Sequence, residues 1–193
     1  MNSALASRLS HGRPPDLALF LPSYDRGGVE RMMAQLARGL AGLGLSVDMV
    51  IHRRSSHYLD DLPASVRVVE LAALGGGLLD AAVVYCRSAR PALLLSSKDE
   101  NNQLALKTRE VAGTHAKVWL RAASTLSSRV AGQFFWKRWM SFRRMRRIYA
   151  KADGVIAGSH DLARDVAEIT GLPLSGIRVA HNPVVTPEMI DLA

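Results

Sequence analysis

Short apolar runs alternate along this chain with longer segments in which apolar residues return every three or four positions. Leu17 to Leu21 is one such run, and behind it Val29, Met32, Met33, Leu36, Leu40 and Leu43 recur at helical spacing. Further strands are predicted over Leu45 to Ile51, Val66 to Leu71, Ala92 to Ser97, Lys117 to Ala122, Gly154 to Ser159, and from Ile177 to the closing Asn182-Pro183. Between them, helices are predicted from Leu78 to a stop at Pro91, from Asn101 to Val111, from about Gln133 to Ala152, and from His160, which Ser159 can cap. About seven strands separated by amphipathic helices read as βαβ units. They predict an α/β fold of one doubly wound, mainly parallel sheet with helices on both faces.

Ligands in such a sheet bind at the carboxyl ends of the strands. The loops on that edge are Pro22 to Gly28, Ser96 to Asn102, Ala122 to Ser128, and Ser159 with His160. Gly27 and Gly28 therefore sit where a strand turns into a helix. A helix N-terminus offers free N–H groups and the positive end of its dipole, and a glycine lets an anion such as phosphate reach the backbone. A tight turn that needs positive φ explains the same pair. Neither G-x-G-x-x-G nor the Walker pattern is present, so both readings stand.

The 193 residues are 48% hydrophobic, enough for a real core in one domain. The single Cys86 rules out an internal disulfide, and no Cys/His cluster has zinc-ligand spacing, so no structural zinc site is expected. Residues 1–16 lack a long apolar stretch and read as a flexible leader, neither a secretory signal nor a membrane span. Net charge is +8, but Val111 to Ala152 holds ten Lys/Arg and no Asp/Glu, leaving the remainder at −2. Localised basicity points to one anionic surface or ligand.

On a helix, Phe135, Trp139, Phe142, Met145, Ile148, Tyr149 and Ala152 form an apolar face expected to pack on the sheet. Lys137, Arg143, Arg144, Arg147 and Lys151 form the opposite face, with Trp136 and Met140 among them. That mixture suits an interfacial helix on anionic headgroups; it equally suits a solvated basic face.

The stretch "GGVERMMAQLARGLAGLGLSVDMVI", a strand entering "RAASTLSS", and "ADGVIAGSHDLARDVAEITGLPLSGIRVAHNPV" resemble, in that order, the N-terminal domain of family-four retaining glycosyltransferases of the GT-B fold. The resemblance covers most of Leu17 to Val185. It implies a Rossmann-like acceptor-side domain over residues 17–185, with 186–193 beginning a linker to a donor-binding domain that this chain does not contain. It further implies a nucleotide-sugar donor, a glycan or lipid-linked acceptor, metal-independent transfer with no cofactor, and a cytoplasmic location, peripheral on the membrane face. Such a half-enzyme is expected to be inactive alone.

By the same resemblance Gly27 and Gly28 contact the donor diphosphate. Candidates for acceptor or phosphate contact are Arg31, Lys98, Asp99, Arg121, Ser124 and Thr125, and candidates for the membrane surface are Trp136, Lys137, Met140, Arg143, Arg144 and Arg147. Glu30 suits the helix dipole, Asn101 can cap its helix, Arg121 can instead satisfy an internal carboxylate, and His181 is expected to pack at the domain boundary. The family's histidine position holds Ala123, so no catalytic residue is assigned. Two other function classes remain open: a nucleic-acid module using the basic stretch, disfavoured by the lack of any recognisable binding motif, and a sugar-binding or scaffolding domain without chemistry.

Overall fold

The computed structural model describes residues 9, 13–23, 27–54, 57–128, 132 and 134–183. Seven parallel strands form one sheet: β1 (Leu17–Phe20), β2 (Val47–Ile51), β3 (Val66–Glu70), β4 (Leu93–Ser97), β5 (Lys117–Ala122), β6 (Gly154–Ala157) and β7 (Ile177–Val179). Among the described residues the long helices are α1 (Gly28–Gly42), α2 (Leu78–Ala89), α3 (Asp99–Ala112), α4 (Phe135–Tyr149) and α5 (His160–Thr170). Strand order is β3-β2-β1-β4-β5-β6-β7, so the order reverses between β1 and β4. Their carboxyl ends flank the crevice where doubly wound sheets bind ligands.

Continuous apolar strands are what a sheet covered on both faces requires. On β1, Ala18 and Phe20 point into a core shared with α2, α3 and α5, while Leu17, Leu19 and Leu21 meet Met32, Met33 and Ala37 of α1. Register places Leu19 between Met49 and Leu95, all buried. The second face is less complete than expected. Among the described residues α1 is its only long helix, and toward β7 Trp119 and Ile156 stay partly buried, with the Arg178 guanidinium stacked 5.1 Å from the Trp119 ring centroid. Gly154 makes room for that indole, since a Cβ there would lie 2.5 Å from it.

Most predicted boundaries shift by one to three residues, as helix and strand ends do. α2 ends one residue sooner, with Arg90 in the left-handed region ahead of Pro91, and β7 is only Ile177–Val179. Ser159 caps α5 as expected, accepting from Leu162 N at 3.2 Å. Asn101 does not cap α3; its side chain is spent on Ser23, as described below. Of the expected leader only Leu9 and residues 13–16 are described, and the expected linker over 186–193 lies outside the described residues.

Candidate functional site: a cleft at the carboxyl edge

Gly27 precedes α1 with φ −126° and ψ 176°, ordinary extended backbone, so positive φ is not what the pair of glycines supplies. Each has a different reason. A Cβ on Gly27 would fall 2.7 Å from Glu30 Oε2, because the Glu30 carboxylate folds back over it. Around a Cβ on Gly28, by contrast, nothing lies within 4 Å. Neither crowding nor conformation demands glycine at 28. Its missing side chain leaves space at the helix N-terminus.

That space belongs to a cavity of about 450 Å³. α1 contributes Gly28, Val29, Arg31, Met32 and Gln35, and the opposite wall is Arg121, Ala123, Asn182 and Pro183. Arg121 ends β5 and is 6% exposed. Burial lowers its pKa, though a guanidinium stays charged at any ordinary pH. It donates to the side-chain oxygen of Asn182 and, at 3.5 Å, to Ser97 Oγ. Among the described residues no carboxylate pairs with it, so the internal-carboxylate alternative finds no partner there. A desolvated cation whose partners among the described residues are neutral, beside a helix N-terminus, is arranged to receive an anion.

The other sequence candidates divide. Arg31 lines the cavity. Lys98 does not: its Nζ forms an ion pair with the buried Glu30 and reaches Ser23 O at 3.4 Å. Asp99 opens α3 and lines a separate cleft of about 280 Å³ with Glu100, Gln103, Ser141 and Arg144. Ser124 and Thr125 are exposed and outside the main cavity; Thr125 Oγ1 closes a turn with Ser128 Oγ at 2.7 Å. Ala123 faces the cavity, so that wall carries a methyl group at the position where the resembled family pattern has histidine. Asp165 of α5 accepts from the backbone N–H of Leu126 and Ser127 and so anchors this loop, a role with no sequence signal beyond an acidic residue on a helix. Gln35 and the side chain of Asn182 were also missed. Gln35 lies a turn or two beyond the glycines on the same helix face, which helical spacing could have found.

The model of Glycosyltransferase Family 4 matches residues 26–187. The chain belongs to glycosyltransferase family 4. No curated protein matches it significantly. Among solved structures, HepE from Anabaena in complex with UDP and glucose is 14% identical at TM-score 0.65, covering 92% of this chain and 49% of that one. Sucrose-phosphate synthase from Thermosynechococcus elongatus is 16% identical at TM-score 0.65, with 88% and 48% covered. The lipopolysaccharide outer core galactosyltransferase WaaB is 14% identical at TM-score 0.58, with 87% and 45% covered. These likenesses establish a GT-B-type Rossmann-like fold, and the chain spans about half the length of these structures.

In this family-four domain the basic helix departs from expectation in an informative way. Phe142, Met145, Ile148 and Tyr149 do pack on the core, but Phe135 is 82% and Trp139 59% exposed, with Trp136 and Met140 exposed beside them. The cause is register. Arg144 bonds Gln103, 41 positions earlier, and Arg109 Nη2 donates to Lys151 O, 42 positions later. The same offset brings Met140 level with Asp99, where α3 begins. Residues 135–140 therefore overhang α3. Helices between parallel strands start at the carboxyl edge, so the overhang stands on the cleft's edge of the sheet. Lys137, Arg143, Arg144 and Arg147 are exposed, Arg143 lying 5.3 Å over the Trp139 ring and Arg144 donating to Gln103. Among the described residues no helix is long and apolar enough to cross a membrane.

Proposed function

We propose that this chain is the acceptor-side domain of a retaining glycosyltransferase that moves a sugar from a nucleotide-sugar donor to a glycan or lipid-linked acceptor at the cytoplasmic membrane face. One observation carries the reading: Gly28 leaves open space in a cavity walled by the buried Arg121, which among the described residues bonds only the neutral side chains of Asn182 and Ser97. In the transfer, the bond from the anomeric carbon to the diphosphate breaks, a bond to the acceptor hydroxyl forms, and the hydroxyl proton leaves with the phosphate oxygen. Charge grows on that diphosphate, and the backbone N–H groups at the start of α1, with Arg121 and Arg31, are the donors positioned to offset it. No metal or cofactor enters this scheme. Two structural relatives fit it by their own descriptions: HepE is complexed with UDP and glucose, and WaaB is a lipopolysaccharide galactosyltransferase.

The overhanging aromatic and basic half of α4 supports the membrane placement, since aromatic and aliphatic side chains among cations are what an interfacial helix presents to anionic headgroups. Nucleic acid is not proposed as a partner. The deciding experiment is an NMR titration of the chain with UDP. Binding in the ~millimolar range, perturbing Gly28 to Arg31 and Arg121, is expected of one domain's share of an interdomain donor site. Unchanged signals at those residues at saturating UDP would overturn the reading, as would sugar transfer catalysed by the chain alone.

A further inference from the structure

Lys98 is held in an unusual backbone conformation, φ 70° and ψ 143°. Among the described residues the other non-glycine positive φ is Arg90, which ends α2 in the ordinary left-handed way. Lys98 instead begins a helix, where nothing local asks for positive φ. Such strain persists only where the surroundings over-determine it. Here two buried asparagines do so. Asn101 Nδ2 donates to Ser97 O at 3.1 Å, and Asn102 donates its backbone N–H to Lys98 O at 2.9 Å, while turning its side-chain amide so that it satisfies its neighbours sets the nitrogen 3.1 Å from Ser96 O.

The conformation sends Lys98 Nζ across the switch point to α1, where it pairs with Glu30 and reaches Ser23 O. Asn101 Oδ1 accepts from Ser23 N at 3.0 Å and Ser23 Oγ at 2.9 Å. The glycine turn is thereby tied to the start of α3 on both flanks, through Ser23 before it and Glu30 after it. Glu30 is 1% exposed and its carboxylate lies against Gly27. A buried negative charge in that position opposes any anion at the N-terminus of α1, and the nearest ammonium given to it is that of Lys98.

We infer that Lys98 is a positioning residue for anion binding at the glycine turn: through Glu30 and Ser23 it fixes the start of α1, and its charge offsets the carboxylate behind the anion site. This rests on the cleft being an anion site, as proposed above. It predicts effects of opposite sign. Lys98→Met withdraws the ammonium and weakens binding of inorganic pyrophosphate to the chain by about 10-fold. Glu30→Gln removes the carboxylate, keeps the shape and tightens pyrophosphate by a few fold. The double variant returns to within about 3-fold of the parent, and Lys98→Arg retains binding.

Hydrogen exchange gives a readout independent of any ligand. Lys98→Met accelerates exchange at the amides of Arg31 and Met32, and leaves those of β1, β2 and β4 unchanged. A merely structural ion pair would lower thermal stability in both single variants and shift pyrophosphate affinity in the same direction or not at all; that result overturns the inference while leaving the cleft intact. If the parent binds no pyrophosphate, the anion cleft itself fails, and unchanged exchange at Arg31 and Met32 in Lys98→Met then removes the positioning role as well.

Discussion

The guanidinium of Arg121, at the end of β5, donates to the side-chain oxygen of Asn182 just past β7. Both residues line the cleft, and the partner is a neutral amide, so the wall keeps its positive charge. Asn182→Asp would place a carboxylate on that guanidinium with almost no change of shape. Pyrophosphate affinity is expected to fall about 10-fold in this variant and in Arg121→Gln, the scale of a charge-assisted hydrogen bond. An NMR titration showing parent-strength binding in Asn182→Asp would locate the anion elsewhere.

The two glycines should separate cleanly. Gly27→Ala pushes the Glu30 carboxylate off its place and is expected to cost about 1 kcal/mol in urea unfolding, since a paired buried group has to move. Gly28→Ala meets nothing, and exchanging a helical glycine for alanine is worth up to ~1 kcal/mol in its favour. Gly28→Val, whose Cβ likewise meets nothing within 4 Å, is expected to remain folded and lose pyrophosphate binding because its side chain occupies the cleft. A Gly28→Val chain that binds like the parent would reduce the glycine to an incidental residue.

Away from the cleft, Asp48 of β2 is buried and accepts a bidentate pair from Arg67, at 2.8 and 2.7 Å, and the Tyr85 hydroxyl at 2.7 Å. The Asp48 hydrogen bond raises the Arg67 pKa, and burial first, then Asp48, pushes the Tyr85 phenol well up. Tyr85→Phe is expected to cost ~1–3 kcal/mol, the value of a buried hydrogen bond to a charged group. Asp48→Ala should cost more, ~3–5 kcal/mol, because it strands the arginine and leaves a cavity. Denaturant midpoints rank the two; the reverse order would contradict this network.

Burial pushes the Cys86 thiol up to about 12 from its ordinary 9.0. The native chain thus keeps a proton that the unfolded chain releases above about pH 9, so this contribution to stability is whole below pH 9 and is lost as pH rises toward 12. From pH 8 to pH 10 the expected loss from this group is ~1.3 kcal/mol. Cys86→Ala has a lower stability throughout but a flatter profile over that range. An unaltered slope would show that the thiol is not the group titrating.

The overhang of α4 makes a prediction about surfaces. Vesicles containing phosphatidylglycerol should co-sediment the chain and neutral ones should do so poorly, with about 1 kcal/mol per basic residue near the surface, screened by salt. Changing Trp136 and Met140 to serine should abolish the part that survives high salt, and adding Phe135→Ser and Trp139→Ser should deepen the loss. Effective competition by duplex DNA with a steep salt dependence would point to nucleic acid instead. Binding to neither would remove the membrane from the proposal.

The sequence alone determined the sheet and its sense. Runs such as Leu17 to Leu21 and Ala92 to Ser97, separated by helices of 3.6-residue period, can be buried on both sides only as parallel strands with helical crossovers, and the order of motifs named the family. It also marked the glycine turn and Arg121, because strand ends and helix starts are local. What it could not determine were relations between elements. By sequence Lys98 is an acceptor or phosphate candidate at the binding edge, whereas the β1–β4 adjacency sets it against Glu30; the two glycines are alike by sequence, whereas Glu30 folds over only Gly27. The periodicity of α4 marks a helix, but whether Phe135 and Trp139 of its apolar face are covered depends on how far α3 extends beside them, and both are exposed. That offset is set by contacts 41 and 42 positions apart, Arg144 with Gln103 and Lys151 with Arg109, and no local pattern encodes it.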